Sequence, residues 1–303
     1  MRRFRPAWFA VLLVLFPLLS ACGASGSTHP AKPLVLTSFY PLYYLTTQIA
    51  GDRAEVRNLV PAGVEPHDWE PSTRNVADLQ KAALFVYNGA GFESWVQKTL
   101  AATPEKSRVV VEAAQGLPLI APPSGDEAGH FTVDPHIWLD PVLAKQIAAK
   151  IAAGLIQADP TGQATFEQNL ADLNRRLDDL NTAYTNGLHD CTRRDIITSH
   201  AAFGYLAQRY HLNQIAVEGL APDAEPTPAR IAAIVKLARD TGAKYIFFET
   251  LVSPRVAQTI ASEAGAQTLT LDPLEGIKDE QKQNYFTVMN DNLTNLRLAL
   301  DCH

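Results

Sequence analysis

Short apolar runs recur along the chain, each bounded by Gly, Pro, Asn, Asp or charged residues. Those at 34–38, 55–60, 84–87 and 109–112 have strand length and are rich in Val, Leu and Phe. Between them, 42–50, 76–82 and 92–101 carry apolar residues at helical spacing. This alternation predicts a parallel sheet with helices on both faces. A second set opens after residue 190, with strands expected at 195–198, 214–217, 244–249 and 268–271 and helices at 201–209, 228–240, 254–264 and 278–300. Thr227-Pro228 suits an N-cap followed by a first-turn proline. The intervening stretch, 142–188, is almost all helix-forming, with Phe166, Leu170, Leu173, Leu177 and Leu180 at helical spacing and a break or kink marked by Asp159-Pro160. The pattern predicts an α/β protein: two α/β lobes with parallel-type sheets, over 34–141 and 189–303, joined by one long rigid helix over 142–188. Such a connection permits rocking rather than a wide swing.

The amino-terminal end departs from this pattern. Arg2, Arg3 and Arg5 precede FAVLLVLFPLL, an apolar run of signal-peptide length and short for a transmembrane span. Leu19-Ser20-Ala21-Cys22 follows at once and resembles a bacterial lipobox, in which the cysteine is diacylated and becomes the new amino terminus. Residues 1–22 are expected to be a lipoprotein signal peptide and 23–33, rich in Gly, Ser and Pro, a flexible tether. Nothing later is apolar for long enough to span a bilayer. The mature protein is therefore expected outside the cytoplasm, held to the bacterial cell membrane by lipid on Cys22. There the two remaining cysteines, Cys191 and Cys302, can oxidise. The bridge would stabilise the fold by ~4–5 kcal/mol in the chain-entropy model; the alternative is two unrelated buried thiols. A composition of 47% hydrophobic and 19% charged residues excludes disorder. The net charge of −6, without a basic stripe, argues against nucleic acid as a partner.

Three of the eight histidines stand in dense surroundings. His67 lies in Gly63-Val64-Glu65-Pro66-His67-Asp68-Trp69-Glu70-Pro71, beyond the second expected strand. His136 lies in Asp134-Pro135-His136-Ile137-Trp138-Leu139-Asp140-Pro141, ahead of the long helical stretch, and His200 stands where a strand gives way to a helix. Ligand sites in open α/β sheets form outside the carboxyl ends of strands, so all three are placed to reach one crevice. Neutral imidazole suits Zn(II), whereas Ca(II) or Mg(II) would call for oxygen. A fourth ligand could come from Glu275 or Asp272, which follow the last expected strand. A lone strand-end histidine is more often structural than ligating. Three such histidines leave both readings open. Asp134, Asp140 and Glu249 are candidate acceptors for imidazole N–H groups, or else helix caps and strand-end polar groups. Trp69, Trp138 and Phe203 are candidate walls of the site, or ordinary core. His29, His189, His211 and His303 read as linker, surface or terminal residues.

The segments GVEPHDWEPS, DPHIWLDP, TSHAAFGYLA and FFETLVSPRVAQTIASEAG resemble, in order, signature stretches of the cluster-A solute-binding lipoproteins of metal ABC importers, the zinc and manganese binders. The resemblance runs from about Leu34 to the C-terminus. It implies two α/β lobes joined by one long helix, metal ligation by His67, His136 and His200, and a cognate ABC permease with its ATPase as partners. Manganese-binding members carry a carboxylate where this chain has His200, so three nitrogens resemble the zinc branch. Asp272-Pro273-Leu274-Glu275 resembles the segment that supplies a glutamate as fourth ligand in zinc members that close the site with protein; others use water, and Asp272 stays in reserve. The chain lacks the long His-rich loop of some zinc binders: 121–133 holds only Asp126, Glu127 and His130, with His130 a minor candidate as auxiliary ligand. The expectation is a monomeric carrier that captures one Zn(II) as transported ligand, not an enzyme. HExxH, GxSxG, Walker and GxGxxG patterns are absent. The alternatives are a zinc-dependent hydrolase with an open three-histidine site and a manganese-binding or adhesin relative.

Overall fold

Strands β1 (Leu34–Thr37), β2 (Glu55–Asn58), β3 (Leu84–Tyr87) and β4 (Val109–Glu112) pair in parallel in the order β2-β1-β3-β4. The register sets Leu34 beside Glu55, Val35 beside Leu84, and Leu84 beside Val109. Because successive side chains leave a strand on opposite faces, this sheet feeds two cores. Val35, Leu84 and Val86 pack into a large core with Leu42 of α1 (Tyr40–Ala50) and Ile147 of α4 (Pro141–Ala158). Leu36, Phe85 and Tyr87 pack into a smaller one with Leu79 of α2 (Thr73–Leu79) and Val96 of α3 (Val96–Ala102). The computed structural model describes residues 32–123, 131–222 and 226–303. The expected signal peptide with Cys22, the tether up to residue 31, and the loop residues Asp126, Glu127 and His130 lie outside them.

In the second lobe β5 (Asp195–Thr198) pairs in parallel with β6 (Asn213–Ala216), and β7 (Tyr245–Phe248) with β8 (Gln267–Thr270). β5 lies against β7. Ile197 and Ile246 face Ile234 of α7 (Pro228–Thr241) and Ile260 of α8 (Arg255–Ala264). Ile196 and Phe247 face the opposite way and join the large core, along with Leu206 of α6 (Gly204–Arg209) and Leu296 of α9 (Tyr285–Ala299). That core therefore runs through both lobes. The expected N-cap forms, with Thr227 Oγ1 accepting the Arg230 N–H, and Gly242 closes α7 in the left-handed conformation. The last helix starts later than its periodicity predicts, at Tyr285, because Asn284 accepts the N–H groups of Phe286 and Thr287 and fixes the start there.

The linking stretch is not one helix from 142 to 188. α4 ends at Ala158, a short turn covers Pro160–Gly162, and α5 (Gln163–Gly187) runs back along α4, with Lys145 Nζ 2.6 Å from Asp178 Oδ1. Proline at 160 cannot donate to the helical ladder, which is why the chain folds back there. α4 packs on the first sheet, so α5 alone is the long helix between the lobes. Leu173, Leu177 and Leu180 of α5 lie in the shared core. Cys191 and Cys302 are bonded, tying the lead-in to β5 to the end of α9 across 111 residues of chain.

Candidate metal centre

Each ligand candidate sits just past the edge of a sheet, held by local geometry. His67 follows β2 in a Pro-rich loop, where Glu65 accepts its backbone N–H at 3.1 Å. The same loop touches the second lobe through Gly63 N–H and the Ile277 carbonyl, 3.0 Å. His136 ends a tight turn in which Asp134 Oδ1 accepts its backbone N–H at 2.8 Å. His200 follows β5, its carbonyl accepting from Thr198 Oγ1 at 2.7 Å and from Gln214 Nε2 at 3.0 Å. Glu275 follows β8 in a turn whose Leu274 has a φ of 59°. A left-handed leucine is costly, and neighbours hold it there. Asp272 Oδ1 accepts the Leu274 N–H at 2.8 Å, and Trp138 from the first lobe donates Nε1–H to the Pro273 carbonyl at 2.7 Å.

These four residues meet. Glu275 Oε1 lies 3.2 Å from His67 Nε2, 3.2 Å from His136 Nε2 and 3.1 Å from His200 Nε2. One ligand atom from each falls within 4.8 Å of all the others. The side chains are 3%, 0%, 0% and 1% exposed, in the order 67, 136, 200, 275. A tetrahedron with arms of about 2.0–2.1 Å, as Zn(II) makes to nitrogen, has edges of about 3.3 Å, close to the three distances from Oε1. Three imidazole nitrogens and one carboxylate oxygen also match that ion's preference for borderline donors.

The surroundings set the protons. His136 Nδ1 faces Asp134 Oδ1 at 2.8 Å, and His200 Nδ1 faces Glu249 Oε1 at 2.6 Å. A carboxylate there keeps the proton on Nδ1 and leaves the Nε2 lone pair for an ion. Burial alone would lower the pKa of His200, but the Glu249 and Glu275 carboxylates hold it well above the usual 6.5. His136 is raised too, with Asp134 and Glu275 outweighing burial. Burial would push Glu275 up, yet the imidazoles of His200 and His67 hold it well below 4.5. His67 Nδ1 is buried with no partner among the described residues.

The structure separates alternatives that the sequence left open. Asp272 stands outside the four-residue cluster: its carboxylate accepts from the Leu274 N–H and, at 2.6 Å, from Thr250 Oγ1. Burial raises that carboxyl to about 6. Asp140 accepts from no imidazole; it caps α4 through the Val142 N–H and pairs with Arg209 at 2.7 Å. Of the expected walls, only Trp138 lies against an imidazole, 5.2 Å from His136 between ring centroids. Trp69 packs on Trp95, and Phe203 is core. Phe92 and Phe131, which sequence reasoning passed over, have ring centroids 4.7 and 6.1 Å from that of His67. Neither lies in a motif, and only their place beside the site marks them out.

A family model described as "Zinc-uptake complex component A periplasmic" (ZnuA) matches residues 35–299. The chain is 37% identical over 309 residues to the high-affinity zinc uptake system protein ZnuA of Bacillus subtilis (strain 168), covering 96% of each. It is 40% identical to the zinc-binding lipoprotein AdcA of Streptococcus pneumoniae, covering 96% of this chain but 60% of AdcA. Among solved structures, the Zn(II)-bound ZnuA-like domain of S. pneumoniae AdcA matches with a TM-score of 0.78 and 39% identity, over 89% of this chain and 100% of that domain.

Proposed function

We propose, from the premise that this chain belongs to the ZnuA family of zinc-uptake components, that it captures one Zn(II) between its lobes through His67, His136, His200 and Glu275 and delivers it to a cognate ABC permease driven by its ATPase. The observation that carries this reading is Glu275 Oε1 within 3.1–3.2 Å of all three Nε2 atoms. Two arms come from each lobe, so the ion favours the closed arrangement by its greater affinity for it. The protein is a carrier, not an enzyme. A fourth protein ligand also fits capture better than hydrolysis, which needs an open coordination position for water. The lipoprotein relative supports a lipid anchor on Cys22 and an extracytoplasmic location. No helix among the described residues is long and apolar enough to cross a membrane. We assign the lobes to 34–141 and 189–303 and take the monomer as the working unit. Calorimetry of metal-stripped protein with Zn(II) should give one ion per chain, and His136→Ala should abolish that heat; an unchanged isotherm in this variant would remove His136 from the ligand set.

A further inference from the structure

Gly89, Ala90 and Gly91 follow one another with φ of 79°, 54° and 83°. Ala90 has no glycine's freedom, so something must hold the loop in this shape. A Cβ on Gly89 would come within 2.4 Å of the Glu112 carboxylate, so the loop runs close against β4. It leads from the end of β3 to Phe92, whose ring lies 4.7 Å from that of His67, 6.3 Å from that of His136 and 5.3 Å from that of Trp138. Phe92 is 2% exposed. Inside the loop Asn88, fully buried, donates Nδ2–H to the Pro135 carbonyl at 2.9 Å, one residue before His136. The loop thus touches two metal arms, one through a ring and one through the backbone.

Glu93 fastens it. Its Oε1 accepts the Asn88 N–H at 2.7 Å and the Ser38 hydroxyl at 2.6 Å, and its Oε2 accepts the Gly89 N–H at 3.0 Å. Ser38 follows β1 and Asn88 follows β3, so one carboxylate ties two strand ends to the start of the loop. Burial of this carboxyl pushes its pKa up to about 7, a cost that its three donors offset only in part. We propose that Glu93 is a positioning residue for the metal site: by fixing the 88–92 loop it sets Phe92 against His67 and His136 and holds the turn that carries His136. The effect should be largest at His67, whose Nδ1 has no hydrogen-bond partner among the described residues and whose ring lies against Phe92 and Phe131. The inference rests on the ligand set proposed above.

The test uses the full chain, stripped of metal. Zn(II) affinity is measured by competition with a chelator, alongside the melting temperature of the metal-free form and the visible spectrum of the Co(II)-loaded form. Glu93→Ala should weaken Zn(II) binding by ~10–100-fold, the range for groups that orient ligands, and should shift the Co(II) bands. Glu93→Gln keeps an oxygen for Ser38 and Asn88 and should recover most of the affinity. Ser38→Ala removes one donor of three and should cost only several-fold. If Glu93→Ala binds Zn(II) as the wild type does with an unchanged Co(II) spectrum, whatever its melting temperature, Glu93 is structural only. Glutamine no better than alanine would also overturn the proposal. Should Glu93→Ala fail to fold, Glu93→Gln and Ser38→Ala decide it, and wild-type affinity and spectra in both would overturn it. His136→Ala runs in parallel: full Zn(II) binding there would sink the ligand set itself, separately from Glu93.

Discussion

His136 and His200 each turn Nδ1 to a buried carboxylate, whereas His67 does not. The first two are set before any ion arrives: Asp134 and Glu249 choose the tautomer and fix the ring. Glu249 also accepts the His200 backbone N–H at 3.2 Å, as Asp134 does for His136, so the same groups fix main chain and side chain. His67 sits on a loop with Pro61, Pro66 and Pro71, and its ring is bounded by Phe92 and Phe131. Aromatic contacts limit a ring's tilt but do not assign its proton. The centre therefore has one rigid pair of imidazoles and one more adaptable arm. That is a sensible division for a site that must bind tightly and still release.

The largest effect should come from breaking the rigid pair. His200→Ala removes a proposed ligand and leaves buried Glu249 without its imidazole partner, with the backbone N–H of residue 200 still in place. It should cost more than ~100-fold in Zn(II) affinity, beyond what outer partners alone are worth, and lower metal-free stability by about 3–5 kcal/mol. His67→Ala also removes a proposed ligand, but His67 Nδ1 has no hydrogen-bonded carboxylate among the described residues to lose, so its metal-free stability should fall far less. Chemical denaturation of the two metal-stripped variants checks this, and equal losses would erase the distinction. Next come the carboxylates themselves: Glu249→Gln and Asp134→Asn should each weaken Zn(II) by ~10–100-fold in chelator competition.

The response to pH should have opposite signs in the metal-free and loaded forms. In the metal-free fold His136 and His200 have raised pKa values, so the stability they contribute is fully present below the ordinary 6.5 and is lost as pH rises through the raised values. Glu275, held well below 4.5, contributes above that value and loses its contribution only in strong acid. The metal-free protein should therefore melt higher at about pH 6 than at about pH 9. Zn(II) affinity should fall over the same descent, by up to about tenfold per pH unit for each proton the ion displaces. Melting curves and calorimetry across that range test both slopes, and parallel slopes would contradict the pairing of these imidazoles with Glu275. Least affected should be affinity when the Cys191–Cys302 bridge is removed. The double serine variant should lose up to ~4–5 kcal/mol of stability, yet keep its Zn(II) dissociation constant, because Cys191 precedes β5 whereas His200 follows its opposite end.

Much of the fold was legible because it is local. The strands at 84–87, 109–112 and 195–198 are runs of β-forming residues and appear at those positions. Pro160 announced the break between α4 and α5, but not that α4 would leave the linker for the first sheet. That depends on α4 meeting β3 and β4, with Gly154 lying so close to Leu84 and Val111 that a side chain there would strike both, a contact between distant parts of the chain. The same division runs through the site. Proximity to strand ends singled out His67, His136 and His200 as candidates, and the structure brings them together.

What sequence alone determined was a set of residues placed at the carboxyl edges of two sheets, since hydrophobic period dictates where strands end and which residues come next. Spacing alone did not separate Asp272 from Glu275, where the family resemblance favoured Glu275, nor Asp134 from Asp140, since each pair shares a chemistry and a short stretch of chain. Tertiary structure chose. Leu274 in the left-handed region turns Glu275 inward, while Thr250 and the Leu274 N–H occupy Asp272. Arg209 claims Asp140 from 69 residues away, leaving Asp134 to His136. Side-chain direction depends on backbone angles and on partners far along the chain, and periodicity carries information about neither.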